Sequence, residues 1–428
     1  MFGEEFTYLL HWVFVIVALT FAWLRSRNIF HPFFMFSVML CVFISDFLAR
    51  GYEDKNFVNI PIQDITNYQV EILFIFSATL FFASLIKDKQ TEAMTATAMA
   101  RISMGPQIRR TIYLVCLALL AAELFKRFSS VNWSISEVFL QSLAPRGQRT
   151  WDIAGFSGNF VFALLRSLLP FTGIGLGYLI ANSKTRISSL AYIIPWTFII
   201  FLLVTDGSRT PVVMNLAALW LFLMIRLRGY TLRVVTSVIS SLVVAALTSL
   251  MYLYRSSGFL VENERAFQLT YHQDDSYYRT IYSFFWSDVS TETWNFMTFF
   301  GAILANPIPR AIWPGKPLLD AQFFGGYKLH YVTNLYLGEL VAIFGSTAII
   351  FFGPIFGLLI YLVLYRSARL LRHPLGIGAY LLVALYAYMS LRSLFNTMGF
   401  IYLPAFAIAV VLYLGGRRAK QMARNRYA

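Results

Sequence analysis

The sequence predicts an all-α polytopic membrane protein of about eleven transmembrane helices, with its N-terminus outside and its C-terminus in the cytoplasm. Three observations predict it. Hydrophobic residues make up 58% and aromatics 17% of the 428 positions, which leaves too little polar surface to face water. Apolar stretches of about 17–25 residues recur, each long enough to cross a bilayer core as a helix, the conformation that satisfies its own backbone where lipid offers no partner. Third, twenty of the 35 Lys and Arg residues sit in alternate short connections, where only Asp88 and Glu92 of the 21 acids accompany them. That is the asymmetry the positive-inside rule requires of cytoplasmic loops.

The spans are read at residues 7–24, 30–48, 69–86, 111–125, 159–181, 187–205, 211–225, 234–254, 335–365, 375–391 and 397–414. Residues 1–254 thus hold eight spans, 255–334 form one long outer loop, and 335–428 hold three spans and a basic tail. Glu4 and Glu5 precede the first span and Arg25 and Arg27 follow it, the reverse of a signal peptide, so this helix is retained with its start outside. Cys41 and Cys116 fall in apolar spans and read as small buried hydrophobes. Asp46, Glu123 and Arg166 lie within spans, where they either line a proton or ion path or pair inside the bundle. His11, His31 and His373 read as interfacial residues. The net charge of +14 is an orientation signal, not a footprint for nucleic acid.

The outer connections carry the unusual chemistry. Between the sixth and seventh spans, Asp206-Gly207-Ser208-Arg209-Thr210-Pro211 turns at a glycine and restarts a helix at a proline. Amides at such a positive helix end, with Arg209 beside them, suit an anion. The loop at 126–158, with Arg146, Arg149 and Asp152, reads as a second lid. In the long loop, residues 282–304 are rich in Phe and Trp but interrupted by Asp288 and Glu292, which fits an interfacial or re-entrant helix better than a span. The proline-rich run from Asn306 to Pro317 follows, a rigid non-helical way to fix the directions of Arg310 and Lys316.

Cations on the face that topology depletes of them need a reason. Arg255, Arg265 and Arg279 have Glu262, Glu264, Asp274 and Asp275 nearby in sequence, so pairing and ligand binding both stand. Arg209, Arg310 and Arg392 have few acidic neighbours and point to a bound diphosphate, whose oxygens guanidinium grips bidentately. Glu339, in an apolar span next to the His330 loop, is either a general base or the partner of an arginine. The sequence shows no metal-ligand motif, no Walker motif and no dinucleotide fingerprint.

In its many spans, its long outer loop, Gly207-Ser208-Arg209-Thr210, the run Ile308-Pro309-Arg310-Ala311-Ile312-Trp313-Pro314-Gly315-Lys316-Pro317, and Leu337-Gly338-Glu339 followed by Phe344-Gly345, the chain resembles the Wzy-type polymerases of O-antigen and related oligosaccharide repeat units. The Arg-x10-Gly pattern of some members is not met, since Arg146 and Arg149 lead to Ser157 and Phe160. The resemblance implies a GT-C-like fold in the bacterial inner membrane, and a metal-independent inverting glycosyltransferase with no cofactor. Its substrate would be an undecaprenyl-diphosphate-linked oligosaccharide at the periplasmic face, and its expected partners are the lipid bilayer and a chain-length regulator protein. It further implies Glu339 or His330 as base, Arg209, Arg255, Arg310, Arg392 and Lys316 on diphosphate, and Asp206, Ser208, Arg279, Trp286, Trp294 and Trp313 as contacts to the glycan. An O-antigen ligase of the same fold, and a transporter or flippase of the same lipid, are the rival expectations.

Overall fold

The computed structural model describes residues 3–27, 31–51, 60–86, 105–144, 149–150, 160–183, 185–205, 209–227, 229–257, 276–289, 335–372, 376–394, 405 and 408–413. These are helical and form no strand. α1 (Glu4–Ser26) starts with two acids and ends near Arg25, matching its macrodipole at both ends. α2 (Pro32–Arg50) has Pro at its first position, and His31 Nδ1 accepts from the Phe33 amide at 3.1 Å. α3 is Ile62–Leu85. α4 (Pro106–Ser130) again opens on proline. α5 (Ile135–Leu143) is capped by Ser134, whose Oγ accepts from the Glu137 amide at 3.3 Å. There follow α6 (Phe160–Ala181), α7 (Arg186–Thr205), α8 (Arg209–Arg226), α9 (Tyr230–Ser257), α10 (Ser276–Val289), α11 (Tyr336–Phe344), α12 (Ser346–Ser367) and α13 (Gly376–Arg392).

Four helical stretches, Glu4–Ser26, Ile62–Leu85, Arg186–Thr205 and Ser346–Leu371, are long and apolar enough to cross a membrane. Their outward faces are hydrocarbon: Leu9, Ile16, Val17 and Leu24 on α1, and Phe74, Phe81 and Leu85 on α3, are exposed. Apolar surface on that scale is a liability in water and ordinary in lipid. The molecule is a helical membrane protein.

The chain forms two compact units. The first contains α1, α2, α3, α10, α11, α12 and the later part of α13. Its core is aromatic and aliphatic, with Phe33, Phe36, Ile44 and Phe47 of α2 beside Ile72, Ile75 and Phe76 of α3. α12 approaches α3 closely through small residues. A Cβ on Gly353 would sit 2.7 Å from Ile75 Cγ2, and one on Gly357 would sit 2.8 Å from Thr79 Cγ2, so glycine sets this helix spacing. Arg25 donates to the Ser84 and Ile86 carbonyls at the end of α3, and its guanidinium lies 5.0 Å from the Phe33 ring centroid.

Several expectations about this unit are refined. The span read at 335–365 is broken at Gly345, whose φ of 80° and ψ of 164° separate α11 from α12; an L side chain avoids that conformation, and hydropathy does not register it. His11, read as interfacial, is fully buried among helices. Its Nδ1–H donates to the Thr7 carbonyl at 2.7 Å, which leaves Nε2 to accept from Tyr277 Oη on α10. His31 is buried too, while His373 lies outside the described residues. α10 overlaps the helix read at 282–304 but begins earlier and is enclosed, with Tyr277, Tyr278, Thr280, Ile281 and Phe284 buried.

The second unit contains α4 to α9 and the start of α13. α6 is its central helix, where Leu176, Tyr178 and Leu179 are buried. Its glycines face two neighbours. A Cβ on Gly175 would approach Ile112 Cγ2 of α4 to 2.8 Å, and one on Gly177 would approach Leu219 Cα of α8 to 3.2 Å.

Candidate functional site

In the first unit the site is built where three helices end or begin. Thr280 of α10 accepts the Leu335 amide at 3.0 Å, which satisfies the residue that caps α11 and fixes that helix on α10. Glu339 lies one turn further on, buried at 3% exposure. Its Oε1 accepts from Ser393 Oγ at 2.7 Å. Ser393 directly follows Arg392, the last residue of α13, so the fold brings two predicted site residues, 53 positions apart in sequence, to neighbouring places. Arg392 and Arg279, which precedes Thr280 on α10, are both half-buried.

Asp288, one end of α10 away from Thr280, is held by two hydroxyls. Tyr68 Oη donates to its Oδ2 at 2.6 Å, and Ser346 Oγ donates to its Oδ1. Sequence reading took Asp288 only as a polar interruption. The signal present was its spacing of four and eight from Phe284 and Thr280 on one helix face, but the Tyr68 partner lies 220 residues away.

In the second unit the structure assembles the end of α7. Arg127 is completely buried. Its Nε donates to Glu123 Oε1 at 3.1 Å, Nη1 to Ser142 Oγ and Thr205 Oγ1 at 3.3 Å each, and Nη2 to the Leu202 carbonyl at 3.3 Å. Arg149, also buried, donates from Nε to the Ala144 carbonyl at 2.9 Å and from Nη2 to the Thr205 carbonyl. The last-turn carbonyls of α7 are thereby satisfied by cations, the favourable sign at a helix C-terminus. Glu123 therefore pairs within the bundle, and Arg149 holds the last carbonyl of α7. Arg127 was missed in the sequence, where it fell within the loop read at 126–158, whereas the structure places it in α4.

The backbone of Arg209, Arg255 and Trp286 is helical, in α8, α9 and α10. Asp206, Ser208, Trp294, Arg310, Trp313, Lys316 and His330 lie outside the described residues. Among the described residues no three His, Cys, Asp or Glu side chains converge as metal ligands would.

Compared with known proteins, the chain matches no family model, no curated protein and no solved structure. The functional reading therefore stands on the chemistry of these residues.

Chemically, the first-unit site offers a buried carboxylate that accepts from a hydroxyl, with Arg392 and Arg279 next in sequence to Ser393 and Thr280. The carboxylate can take a proton from an alcohol, and the guanidiniums can stabilise an anionic leaving group.

Proposed function

We propose that this protein polymerises undecaprenyl-diphosphate-linked oligosaccharide repeat units by inverting glycosyl transfer, as an enzyme of the bacterial inner membrane. The observation that carries the reading is the buried Glu339 carboxylate, hydrogen-bonded to Ser393 beside Arg392. In the reaction, a hydroxyl of the acceptor sugar attacks the anomeric carbon of the donor glycan. The bond from that carbon to the diphosphate oxygen breaks, and the acceptor proton passes to Glu339, with His330 the other candidate base. The leaving diphosphate gains charge as it departs, and Arg392, Arg310, Lys316, Arg255 and Arg209 are the residues proposed to hold it. Asp206, Ser208, Arg279, Trp286 and Trp313 are proposed to hold the glycan, and a chain-length regulator to act as partner. The reading includes eleven spans with the N-terminus and the 255–334 loop in the periplasm, supported by the cation asymmetry of the loops.

The test is incubation of the purified protein with lipid-linked repeat unit alone, with metals chelated and no nucleotide, followed by gel analysis. A ladder of extended glycan is expected, which a ligase lacking its own acceptor would not make. Glu339→Gln is expected to lower the rate by about 100-fold or more, the scale of a general base, and Ser393→Ala by less. A Glu339→Gln variant that extends glycan at the wild-type rate would remove the carboxylate from the mechanism.

A further inference from the structure

α5 is a nine-residue helix held in one orientation by polar bonds near its end. Ser142 Oγ accepts from Arg127 at 3.3 Å, Gln141 Oε1 accepts from the Thr150 amide at 3.2 Å, and the Ala144 carbonyl that closes the helix accepts from Arg149 Nε at 2.9 Å. A helix tied in this way cannot roll to hide its other faces. Ile135, Phe139 and Leu140, with Trp133 just ahead of the helix, are left between 51% and 77% exposed. Large apolar side chains held outward in this way are a cost in water and a gain against hydrocarbon.

Two observations identify the hydrocarbon as lipid. First, the exposed rings continue a surface that already faces the bilayer. Phe139 stacks on Phe201, with centroids 6.4 Å apart and planes 5° from parallel. Phe201 lies near the C-terminal end of α7, a helix long and apolar enough to cross a membrane, where it and Phe198 are exposed. Trp133 stands 5.6 Å from the ring of Phe125, which is exposed near the end of α4. A helix packed at the end of a span sits at the height of the membrane interface, the depth that suits an apolar indole with one N–H. Second, α5 has a wet edge. Glu137 is two positions from both Ile135 and Phe139, so at about 3.6 residues per turn it points nearly opposite to them, and it is exposed. An apolar flank with an acid on the far edge fits a helix lying in the plane of the interface.

We infer that α5 is an interfacial membrane helix, with Trp133, Ile135 and Phe139 in the boundary between lipid headgroups and acyl chains and Glu137 in water. Arg127 and Arg149 each bond both α5 and Thr205, so the seating of α5 sets the depth at which α7 ends. The inference holds whatever reaction the protein performs.

The experiment places a nitroxide on single introduced cysteines in the full chain, in nanodiscs of phosphatidylcholine. It compares collision with oxygen, which concentrates in hydrocarbon, and with a water-soluble nickel chelate. The parent chain, whose Cys41 and Cys116 are buried, is the labelling control. Labels at Ile135→Cys and Phe139→Cys are expected to collide more with oxygen, at a depth of about 5–10 Å into the headgroup and acyl boundary. The label at Glu137→Cys is expected to show the reverse preference, and Phe198→Cys on α7 is the lipid-facing reference. Both apolar positions are more than half exposed, and either label alone decides the outcome if one variant is not recovered. Chelate access at 135 and 139 equal to that at 137 would put the face in water and overturn the inference. Shielding from both reagents would overturn it by putting protein over the face; spin–spin broadening lost on dilution with unlabelled chain would then identify a second copy. Oxygen preference at all three positions would overturn it as well, since the helix would be submerged.

Discussion

At the scale of single residues, energy concentrates in buried charge. Arg127 has all three guanidinium nitrogens engaged at zero exposure, bonding α4, α5 and α7 at once. Its removal strands the Glu123 carboxylate and takes a donor from Ser142, Thr205 and Leu202. Arg127→Met is therefore expected to destabilise the second unit by about 3–5 kcal/mol. A companion change of Glu123→Gln should recover part of that loss, because no unpaired charge then remains; thermal unfolding in detergent measures both. Glu339 was legible in the sequence because an acid in an apolar span has few uses. Ser393 was not, since a serine after an arginine carries no signal until the chain folds α13 back onto α11.

At the scale of helices, spacing is set by glycine. Gly357 faces Thr79 Cγ2 at 2.8 Å and Tyr336 Oη at 2.9 Å from where its Cβ would lie. Neither neighbour has a flexible end that can swing away, so α12 must retreat from α3. Gly357→Ala is expected to cost about 1–3 kcal/mol, read as a lower apparent melting temperature. The same substitution at exposed Gly3, which has nothing within 4 Å of its Cβ position, serves as the neutral control. Most helices were legible because an apolar run of span length has one stable form in lipid. The break at Gly345 was not, because it depends on a backbone angle inside a continuous apolar run. The enclosed position of α10 escaped for a related reason: its tyrosines and serines look like surface until Thr280 and Asp288 find their partners on other helices.

For the whole molecule, the deciding property is which way the loops face. The topology proposed above puts residues 255–334 outside the cytosol. A cysteine at Ser257 or Ala321 is therefore expected to react with a membrane-impermeant reagent in intact spheroplasts. Reaction only after the inner membrane is opened would reverse the orientation and remove the proposed site from its substrate. That the protein is an all-helical membrane protein could be read from composition, an average over many residues. The site could be read only in part, because it depends on a few long-range contacts.

One of those contacts governs how the protein can be made. His11 leaves the ribosome before Tyr277, which donates to its Nε2 and is 266 residues later in the chain. At ordinary translation rates of about 5–20 residues per second, the gap lasts roughly 13–53 s. Through that interval the first helix must keep an unsatisfied imidazole nitrogen near water, the translocon or a chaperone. Its final seating therefore waits for a helix made long after it.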